Sequence, residues 1–457
     1  MGVRARVPAV GVGAVVAAVL VATGASTPVS AQPSAVPATG PATATAVPIG
    51  ASPAPRPESE APEDTRGPLS TGSQRHSGST TENRTIAQRL ASAGSDPALG
   101  SRVSAVVIDA TTGAVVYSRN ASLALMPASN HKVTTAFVAI ASMPRTKTLT
   151  TTVRTNASRS TVWLVGGGDP GLTVARAREM AATTRSALVA AGVRSVAVRV
   201  DDTMFPPPTM ATGWKTSYMP GDVVPVRALV VGGRDAMDTG LDAGVIFANE
   251  LKRLGIAVSS TVRGTVPTGT STVTSATSSY IGTLTAQFLN SSINDYAENL
   301  HRHSSRTAGK GTTWAAANGH ALSVLRARGV NTTGMAIHDG SGLSRSDRSS
   351  AATMASVLLA ARRDPAVNQV FTSSTGLPVA GVSGTLKSRF AASGTTCARG
   401  LVRAKTGWLS DVVSLSGTAR GVDGKDRIFS IIENGAANPT EARYAIERFA
   451  TAATGCT

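Results

Sequence analysis

The chain has 457 residues, of which 42% are hydrophobic, and a formal net charge of +17. This length allows two or three domains with full cores, and the scattered basic residues form no recognisable nucleic-acid module, so nucleic acid is excluded as a predicted partner. Two explanations of the charge stay open: attraction to an anionic cell envelope, and a compositional bias of the genome. The six histidines are scattered, and His301 and His303 lack a third ligand at a usual spacing. Neither a metal nor another cofactor is therefore predicted.

Residues 1–31 predict a secretory signal. Arg4 and Arg6 precede an apolar run that leads into small residues, which is the composition of a signal peptide. The run contains Pro8 and is short for a membrane span, so a cleaved signal is preferred and an uncleaved membrane anchor is the alternative. Residues 32–82 are rich in Pro, Ala, Thr and Ser and predict a disordered linker, because they offer too little apolar surface for a core. The protein is expected to be exported, to the periplasm or cell wall.

The first predicted strands form a hairpin. Val103–Asp109 and Ala114–Ser118 are rich in β-branched residues and flank a Thr-Thr-Gly turn. From residue 149, short strand patterns alternate with turns and a helix, which predicts a smaller inserted α/β domain over residues 149–275. Its predicted elements are strands at Leu149–Arg154, Ser160–Val165, Val196–Val200 and Val258–Val266 and a helix at Ala175–Ala191.

Ser129 and Lys132 stand three residues apart at the start of a predicted helix. Pro127 suits a first helical turn, so the helix is expected to begin near it, with Ser129 and Lys132 on one face. The amine can take the proton of the hydroxyl, and the positive end of the helix favours negative charge developing near the serine. Taken alone, the pair is equally compatible with a solvated helix face.

The C-terminal half returns to helices and then to strands. Helical patterning runs from Ile281 to Leu325, and strands are predicted at Val412–Ala419 and Arg427–Glu433. A final helix is expected from Asn438 to Ala453, because an N-cap residue, a first-turn proline and an early acid coincide at its start. These C-terminal strands and this helix are expected to pair with the N-terminal hairpin.

The chain contains two cysteines, Cys397 and Cys456. In an exported protein an even pair suggests one disulfide, which here would tie the last residues to an earlier segment. Two free buried thiols are the alternative that the sequence leaves open.

Two further motifs follow Ser129 in chain order. A Ser-Ile-Asn motif at Ser292–Asn294 lies within the helical patterning, and a Lys-Thr-Gly motif at Lys405–Gly407 is expected at the start of a strand. Each motif is common alone. The three together, in this order, are typical of serine enzymes that act on D-Ala-D-Ala peptides and β-lactams.

On these motifs the chain resembles the class C low-molecular-mass penicillin-binding proteins, the D-alanyl-D-alanine carboxypeptidase/endopeptidases. Further segments extend the resemblance from Val103 to Glu433, namely Leu164–Pro170, Asp201–Phe205, Asp339–Arg345 and Leu377–Phe390. The resemblance implies an α/β protein with the penicillin-binding-protein/serine β-lactamase-like transpeptidase fold, in which helices flank an antiparallel sheet. Residues 83–148 and 276–457 would then form the catalytic domain, with the smaller α/β domain inserted between them.

The resemblance also implies chemical roles for the first two motifs. Ser129 would be the acylated nucleophile and Lys132 its general base, with the pKa of the amine depressed by desolvation and by a neighbouring cation such as Lys405. Ser292 would relay a proton between Lys132 and the leaving amine. Asn294 would hold Lys132 or the substrate amide.

The third motif and the residue after it would bind the substrate. Lys405 would face the terminal carboxylate, Thr406 would add a hydroxyl, and Gly407 would lead to Trp408. The backbone N–H groups of Ser129 and Trp408 would form the oxyanion hole.

Two residues depart from the pattern of the family. Trp408 stands where the family usually has a small hydroxyl residue that helps to bind the carboxylate, so strict carboxypeptidase preference is less secure. Ile293 replaces the usual aspartate of the second motif, at a position whose side chain the proposed chemistry does not need.

The resemblance implies an exported serine DD-peptidase that removes the terminal D-alanine from peptidoglycan stem peptides ending in D-Ala-D-Ala and is acylated by β-lactams. Cleavage of cross-links is left open beside carboxypeptidase action. A β-lactamase or esterase on the same scaffold is one alternative, and a non-catalytic cell-wall-binding protein is another. A membrane would be a partner only through an uncleaved signal.

Overall fold

The structure, a computed structural model, describes residues 81–456, so the predicted signal at 1–31 and nearly all of the predicted linker at 32–82 lie outside the described residues. The described strands, in chain order, are β1 (Val103–Asp109), β2 (Val115–Arg119), β3 (Thr150–Thr155), β4 (Thr161–Val165), β5 (Ser195–Asp201), β6 (Ala257–Arg263), β7 (Ser271–Thr277), β8 (Val402–Leu409), β9 (Val412–Arg420) and β10 (Asp426–Asn434).

The described residues also form helices. They are α1 (Thr81–Gly94), α2 (His131–Ser142), α3 (Val174–Ala190), α4 (Thr239–Arg253), α5 (Ile281–Ser291), α6 (Asn294–Thr307), α7 (Trp314–Ala327), α8 (Ala351–Arg363), α9 (Pro365–Thr372) and α10 (Pro439–Thr454). Among residues 81–456, none of these helices combines the length and the apolar character that crossing a membrane requires.

The first sheet is antiparallel and joins the two ends of the described chain. Its strand order is β2-β1-β10-β9-β8, and β1 pairs with β10 from Val103 opposite Glu433 to Asp109 opposite Arg427. Alternate residues of a strand face opposite sides of a sheet, and both sides are buried here. Val107 contributes to the core beneath α1 and α10, while Val106 contributes to the core shared with α2, α5 and α8. The predicted pairing of the N-terminal hairpin with the C-terminal strands is confirmed.

The second sheet is mixed and uses strands from residues 150–277 alone. Its order is β6-β5-β4-β3-β7; β3 is antiparallel to β4 and β7, whereas β4-β5 and β5-β6 are parallel. Parallel neighbours need a crossover connection, and α3 and α4 provide the two crossovers. A separate apolar core lies between this sheet and these helices, with Phe247 and Leu164 fully buried in it.

The end of the chain is held by a cap and a disulfide. Asn438 caps α10 by accepting hydrogen bonds from the N–H groups of Thr440 and Glu441, as the sequence predicts. Cys397 and Cys456 are joined by a disulfide with a Cα–Cα distance of 6.0 Å. The predicted disulfide is confirmed, and the alternative of two free thiols is wrong.

Three predictions about element boundaries are wrong, two because of a local backbone change and one because of strand pairing. The expected helix at Pro127 is a 3₁₀ turn over Ala128–Asn130, and α2 begins only at His131. The continuous helical patterning from residue 281 is broken at Ser292, which adopts a left-handed conformation with φ 61°. The Lys-Thr-Gly motif does not open its strand, because β8 pairs with β9 from Val402 onward.

Candidate active site

The turn that carries Ser129 is fastened to the centre of the first sheet. Ala128 has φ 49°, a left-handed conformation that is uncommon for a residue with a side chain. The Asn434 amide donates to the Met126 carbonyl over 3.0 Å and accepts from the Met126 N–H over 2.8 Å. The Ser414 hydroxyl donates to the Pro127 carbonyl over 2.7 Å. These contacts over-determine the turn, which explains how a strained residue persists beside Ser129.

Lys132 lies in the interior with no solvent exposure and has three hydrogen-bond acceptors. Its Nζ lies 3.0 Å from Ser129 Oγ, 2.6 Å from Asn294 Oδ1 and 2.8 Å from the Ser341 carbonyl oxygen. An ammonium group would donate to all three acceptors. A neutral amine would donate to the amide and the carbonyl and would direct its lone pair at the Ser129 hydroxyl.

Burial favours that neutral form. It lowers the pKa of Lys132 to about 8, against the opposing influence of the Asp339, Glu298 and Asp295 carboxylates. The pKa of Lys405 lies well below its usual value, first because of burial and then because of the charge on Lys132. The charge on Lys132 thus lowers the pKa of Lys405, whereas the charged groups that act on Lys132 are carboxylates.

The second and third motifs meet through a hydrogen bond. Lys405 Nζ donates to Ser292 Oγ over 3.0 Å and to the Thr406 carbonyl over 2.9 Å. Ser292 stands at the left-handed end of α5, and Asn294 is the first residue of α6. The break between these helices thus turns Ser292 toward Lys405 and Asn294 toward Lys132.

Strand β8 forms an edge of the described first sheet and passes directly beside the Ser129 turn. A Cβ atom on Gly407 would lie 2.7 Å from the Pro127 carbonyl oxygen and 3.1 Å from the Asn130 nitrogen, so glycine permits this close approach. Thr406 Oγ1 lies 2.9 Å from Thr385 Oγ1. The Trp408 side chain is 47% exposed at the end of the motif.

Sequence reasoning missed four residues that complete this site. Asn434 and Ser414 hold the Ser129 turn, Thr385 contacts Thr406, and the Ser341 carbonyl contacts Lys132. Ser341 and Thr385 lie in segments that support the family resemblance, which was the available signal for them. Asn434 and Ser414 belong to no motif. Each contacts a backbone group about 300 residues distant in sequence, and such a contact leaves no local sequence pattern.

One group of described side chains has the geometry to be tested as a metal site: His131, Asp339 and Asp347, whose candidate ligand atoms lie within 4.8 Å of one another. The Asp339 carboxylate already accepts hydrogen bonds from Trp214 Nε1, Gly342 N–H, Ser344 N–H and Ser341 Oγ. Burial and the charge of Asp339 raise the pKa of Asp347 well above its usual value. The raised pKa favours a protonated Asp347, and Asp339, which already accepts four hydrogen bonds, is a poor metal ligand.

Comparison with known sequences decides the family. The sequence profile of the D-Ala-D-Ala carboxypeptidase 3 (S13) family matches residues 86–237 and 224–453. The chain belongs to this family. The resemblance to class C low-molecular-mass penicillin-binding proteins is confirmed. This chain, an S13 protein, is a serine-type D-Ala-D-Ala carboxypeptidase.

Individual relatives of the S13 protein agree with this assignment. Carboxypeptidase DacB of Mycolicibacterium smegmatis is 31% identical over 441 residues, which cover 90% of this chain and 91% of the relative. The D-alanyl-D-alanine carboxypeptidase of an Actinomadura species is 29% identical, covering 75% of this chain and 80% of the relative.

A solved structure supports the predicted fold. Penicillin-binding protein 4 (dacB) of Haemophilus influenzae superposes with a TM-score of 0.68 at 18% identity, covering 81% of this chain and 98% of that one. At this identity the likeness concerns the fold alone. The α/β, penicillin-binding-protein-like architecture predicted from the motifs is confirmed.

Proposed function

We propose that the S13 protein removes the terminal D-alanine from peptidoglycan stem peptides through an acyl-enzyme on Ser129, and that β-lactams acylate the same hydroxyl. The observation that carries the proposal is the fully buried Lys132 amine, 3.0 Å from Ser129 Oγ, with a pKa lowered to about 8. A base whose pKa lies near the working pH is effective in proton transfer.

Acylation begins when neutral Lys132 takes the proton of the Ser129 hydroxyl. The Ser129 oxygen attacks the carbonyl carbon of the penultimate D-alanine, and the N–H groups of Ser129 and Trp408 receive the oxyanion, where one donor is typically worth about 2.7–4 kcal/mol. The C–N bond then breaks. The leaving amine takes a proton from Lys132 through Ser292, and D-alanine departs as the ester forms on Ser129.

Deacylation repeats this proton transfer with water. Lys132 takes a proton from water, the hydroxide oxygen attacks the ester carbonyl, and the Ser129 oxygen leaves with a proton returned from Lys132. With a penicillin, the amine released by ring opening stays attached to the acyl group. Its continued presence near Ser129 hinders the approach of water and gives a long-lived adduct.

Lys405 is the proposed partner of the substrate's terminal carboxylate. Its depressed pKa means that the amine gives up its proton unusually readily in the free enzyme. A bound carboxylate would favour the ammonium form. The free C-terminal carboxylate of a substrate would therefore pair with the Lys405 ammonium, which agrees with carboxypeptidase action.

We also propose that the protein is exported and that residues 149–277 form a domain inserted into a catalytic domain of residues 83–148 and 278–457. Strand β7 ends at Thr277, so the boundary predicted at residue 275 falls inside a strand and is wrong. The disulfide between Cys397 and Cys456 supports export, since such bonds persist mainly in oxidising compartments. The separate core of the second sheet supports the domain division. N-terminal sequencing of the protein from its native host would reveal cleavage near residue 31.

Labelled penicillin tests the acyl-enzyme. The wild type and Ser186→Ala, a change on the exposed face of α3, are expected to form a stable adduct, whereas Ser129→Ala is expected to form none. An undiminished adduct in Ser129→Ala would overturn the assignment, and rapid turnover of penicillin would favour a β-lactamase.

Substrate choice is tested with a pentapeptide ending in D-Ala-D-Ala and with a cross-linked peptide dimer. We expect release of D-alanine from the pentapeptide. Cleavage of the dimer at a comparable rate would show endopeptidase activity as well, and absence of both reactions in a penicillin-reactive protein would contradict the proposed substrate.

A further inference from the structure

The Ser341 carbonyl oxygen accepts a hydrogen bond directly from the Lys132 amine, 2.8 Å from Nζ. Ser341 lies in the loop formed by residues 339–344 and is fully buried. A neutral Lys132 has two N–H donors, and Asn294 Oδ1 and the Ser341 carbonyl accept them. The direction of the remaining lone pair therefore depends on where the Ser341 carbonyl lies.

Glu298 holds the peptide that precedes this carbonyl. Its two carboxylate oxygens accept hydrogen bonds from the Ser341 N–H over 2.7 Å and from the Gly340 N–H over 2.9 Å. Glu298 is fully buried and stands four residues after Asn294 on α6, so both side chains lie on one face of the helix. Helix α6 thus contacts Lys132 directly through Asn294 and indirectly through Glu298.

We infer that Glu298 is a positioning residue of the acylation reaction: it fixes the Ser341 carbonyl so that the lone pair of Lys132 points at Ser129. The inference rests on the proposed roles of Ser129 and Lys132. Glu298 does not touch Ser129, and its effect passes through the loop.

The loop has no room to compensate for the loss of Glu298. Thr135 Oγ1 donates to the Gly340 carbonyl over 2.6 Å from the other side. A Cβ atom on Gly340 would lie 2.7 Å from His301 Cβ and 2.8 Å from the Ala297 carbonyl oxygen. In such close packing, a lost acceptor shifts the peptide or leaves a buried N–H without a partner.

Charge and position must be separated in the test, because titratable groups surround Glu298 and Lys132. They are His131 on α2, Asp295 and Arg302 on α6, Asp339 and Asp347 in the segment after α7, and Lys405 on β8. Burial and the Asp339 charge raise the pKa of Glu298 to about 8, and ionised Glu298 in turn raises the pKa of Lys132.

The experiment measures the rate constant of acylation by labelled penicillin against pH for two variants. Glu298→Gln keeps the size but places an NH₂ group against one backbone N–H. We expect the plateau rate to fall roughly 10- to 100-fold, as misplacement of a reacting group does, and the rising limb to move to lower pH. Glu298→Asp keeps the charge, but its shorter side chain does not reach the loop. We therefore expect a similar fall of the plateau rate, with the rising limb of the pH profile at its wild-type position.

Two controls keep the outcome decisive. Glu447→Gln alters another fully buried carboxylate, which binds Arg389 and the Phe390 N–H, and is expected to keep the wild-type acylation rate in the folded fraction. Thr135→Val removes only the donor to the Gly340 carbonyl and is expected to lower the plateau rate several-fold. This variant replaces the Glu298 variants in the test if they do not fold.

A plateau restored by Glu298→Asp would show that only charge matters, and Glu298 variants that match the Glu447→Gln control would show a purely structural carboxylate. Either result overturns the inference while the wild-type adduct stays on Ser129. An adduct on another residue of the wild type would instead overturn the proposed function.

Discussion

Charged side chains have different partners around the Ser129 turn and beside the second sheet. Around the Ser129 turn, Lys132 and Lys405 are fully buried and donate to hydroxyl, amide and carbonyl oxygens. In the region of the second sheet, Asp202 instead contacts two arginines, Arg227 over 3.1 Å and Arg263 over 3.3 Å. Desolvated groups facing neutral acceptors acquire shifted pKa values, whereas paired charges satisfy one another.

The difference distinguishes groups that take part in catalysis from groups that stabilise the fold. Strongly shifted pKa values cluster at functional sites because catalysis needs groups that gain and lose protons near neutral pH. Arg227 and Arg263 also pair with Asp238, the N-cap residue of α4, so these ion pairs link the end of β5 to α4 and β6. The comparison therefore predicts large catalytic effects at the first region and stability effects at the second.

The largest expected effect is the loss of the base. Lys132→Ala removes the proposed acceptor of the Ser129 proton, and general-base catalysis is typically worth about 10²- to 10⁴-fold. The acylation rate with labelled penicillin should fall by that factor, while Lys252→Ala, an exposed change on α4, should leave it unchanged. A Lys132→Ala variant that reacts within a few-fold of wild type would break the comparison.

The next effect is a pH dependence. If Lys132 is the base, as we propose, only its neutral form can accept the proton. Burial lowers its pKa to about 8, so the acylation rate should rise with pH and level off above that value. Two pH units below the pKa, about 1% of the amine is neutral, and the rate should be about 100-fold below its plateau. A flat profile between pH 6 and 9 would contradict this role of Lys132.

A smaller effect is expected on stability alone. Asp202→Asn removes the charge that Arg227 and Arg263 share, which should lower the free energy of unfolding by roughly 1–3 kcal/mol, as for lost hydrogen bonds to charged groups. Thermal or denaturant unfolding measures this loss. The penicillin acylation rate of the folded variant should stay within two-fold of wild type, and a marked fall would show that the second region contributes to the chemistry.

The smallest effect concerns the exposed Trp408. Trp408→Thr restores the small hydroxyl residue usual in the family, and one added hydrogen bond is worth about 0.5–1.5 kcal/mol. The kcat/KM for release of D-alanine from a pentapeptide should rise a few-fold, with a lesser change for penicillin. A fall instead would mean that the indole itself binds the substrate.

The sequence predicted what depends on neighbouring residues. A run of β-branched residues before a turn located β1 at Val103–Asp109, and the cap at Asn438 located the start of α10, because both signals are local. Three short motifs identified the family and placed Ser129, Ser292 and Lys405 in one site. Even there, the left-handed backbone at Ala128 and Ser292 escaped prediction, since residues with side chains adopt it only under tertiary constraint.

Only the tertiary structure decided how the motif residues are held. The Ser341 carbonyl reaches Lys132 across a separation of 209 residues, and Asn434 holds Met126 across 308. Backbone carbonyls are present at every position and N–H groups at every position except proline, so their contacts leave no trace in composition or periodicity. A sequence pattern can therefore name Ser129 and Lys132, whereas the folded chain alone shows that Glu298 accepts hydrogen bonds from the loop that faces them.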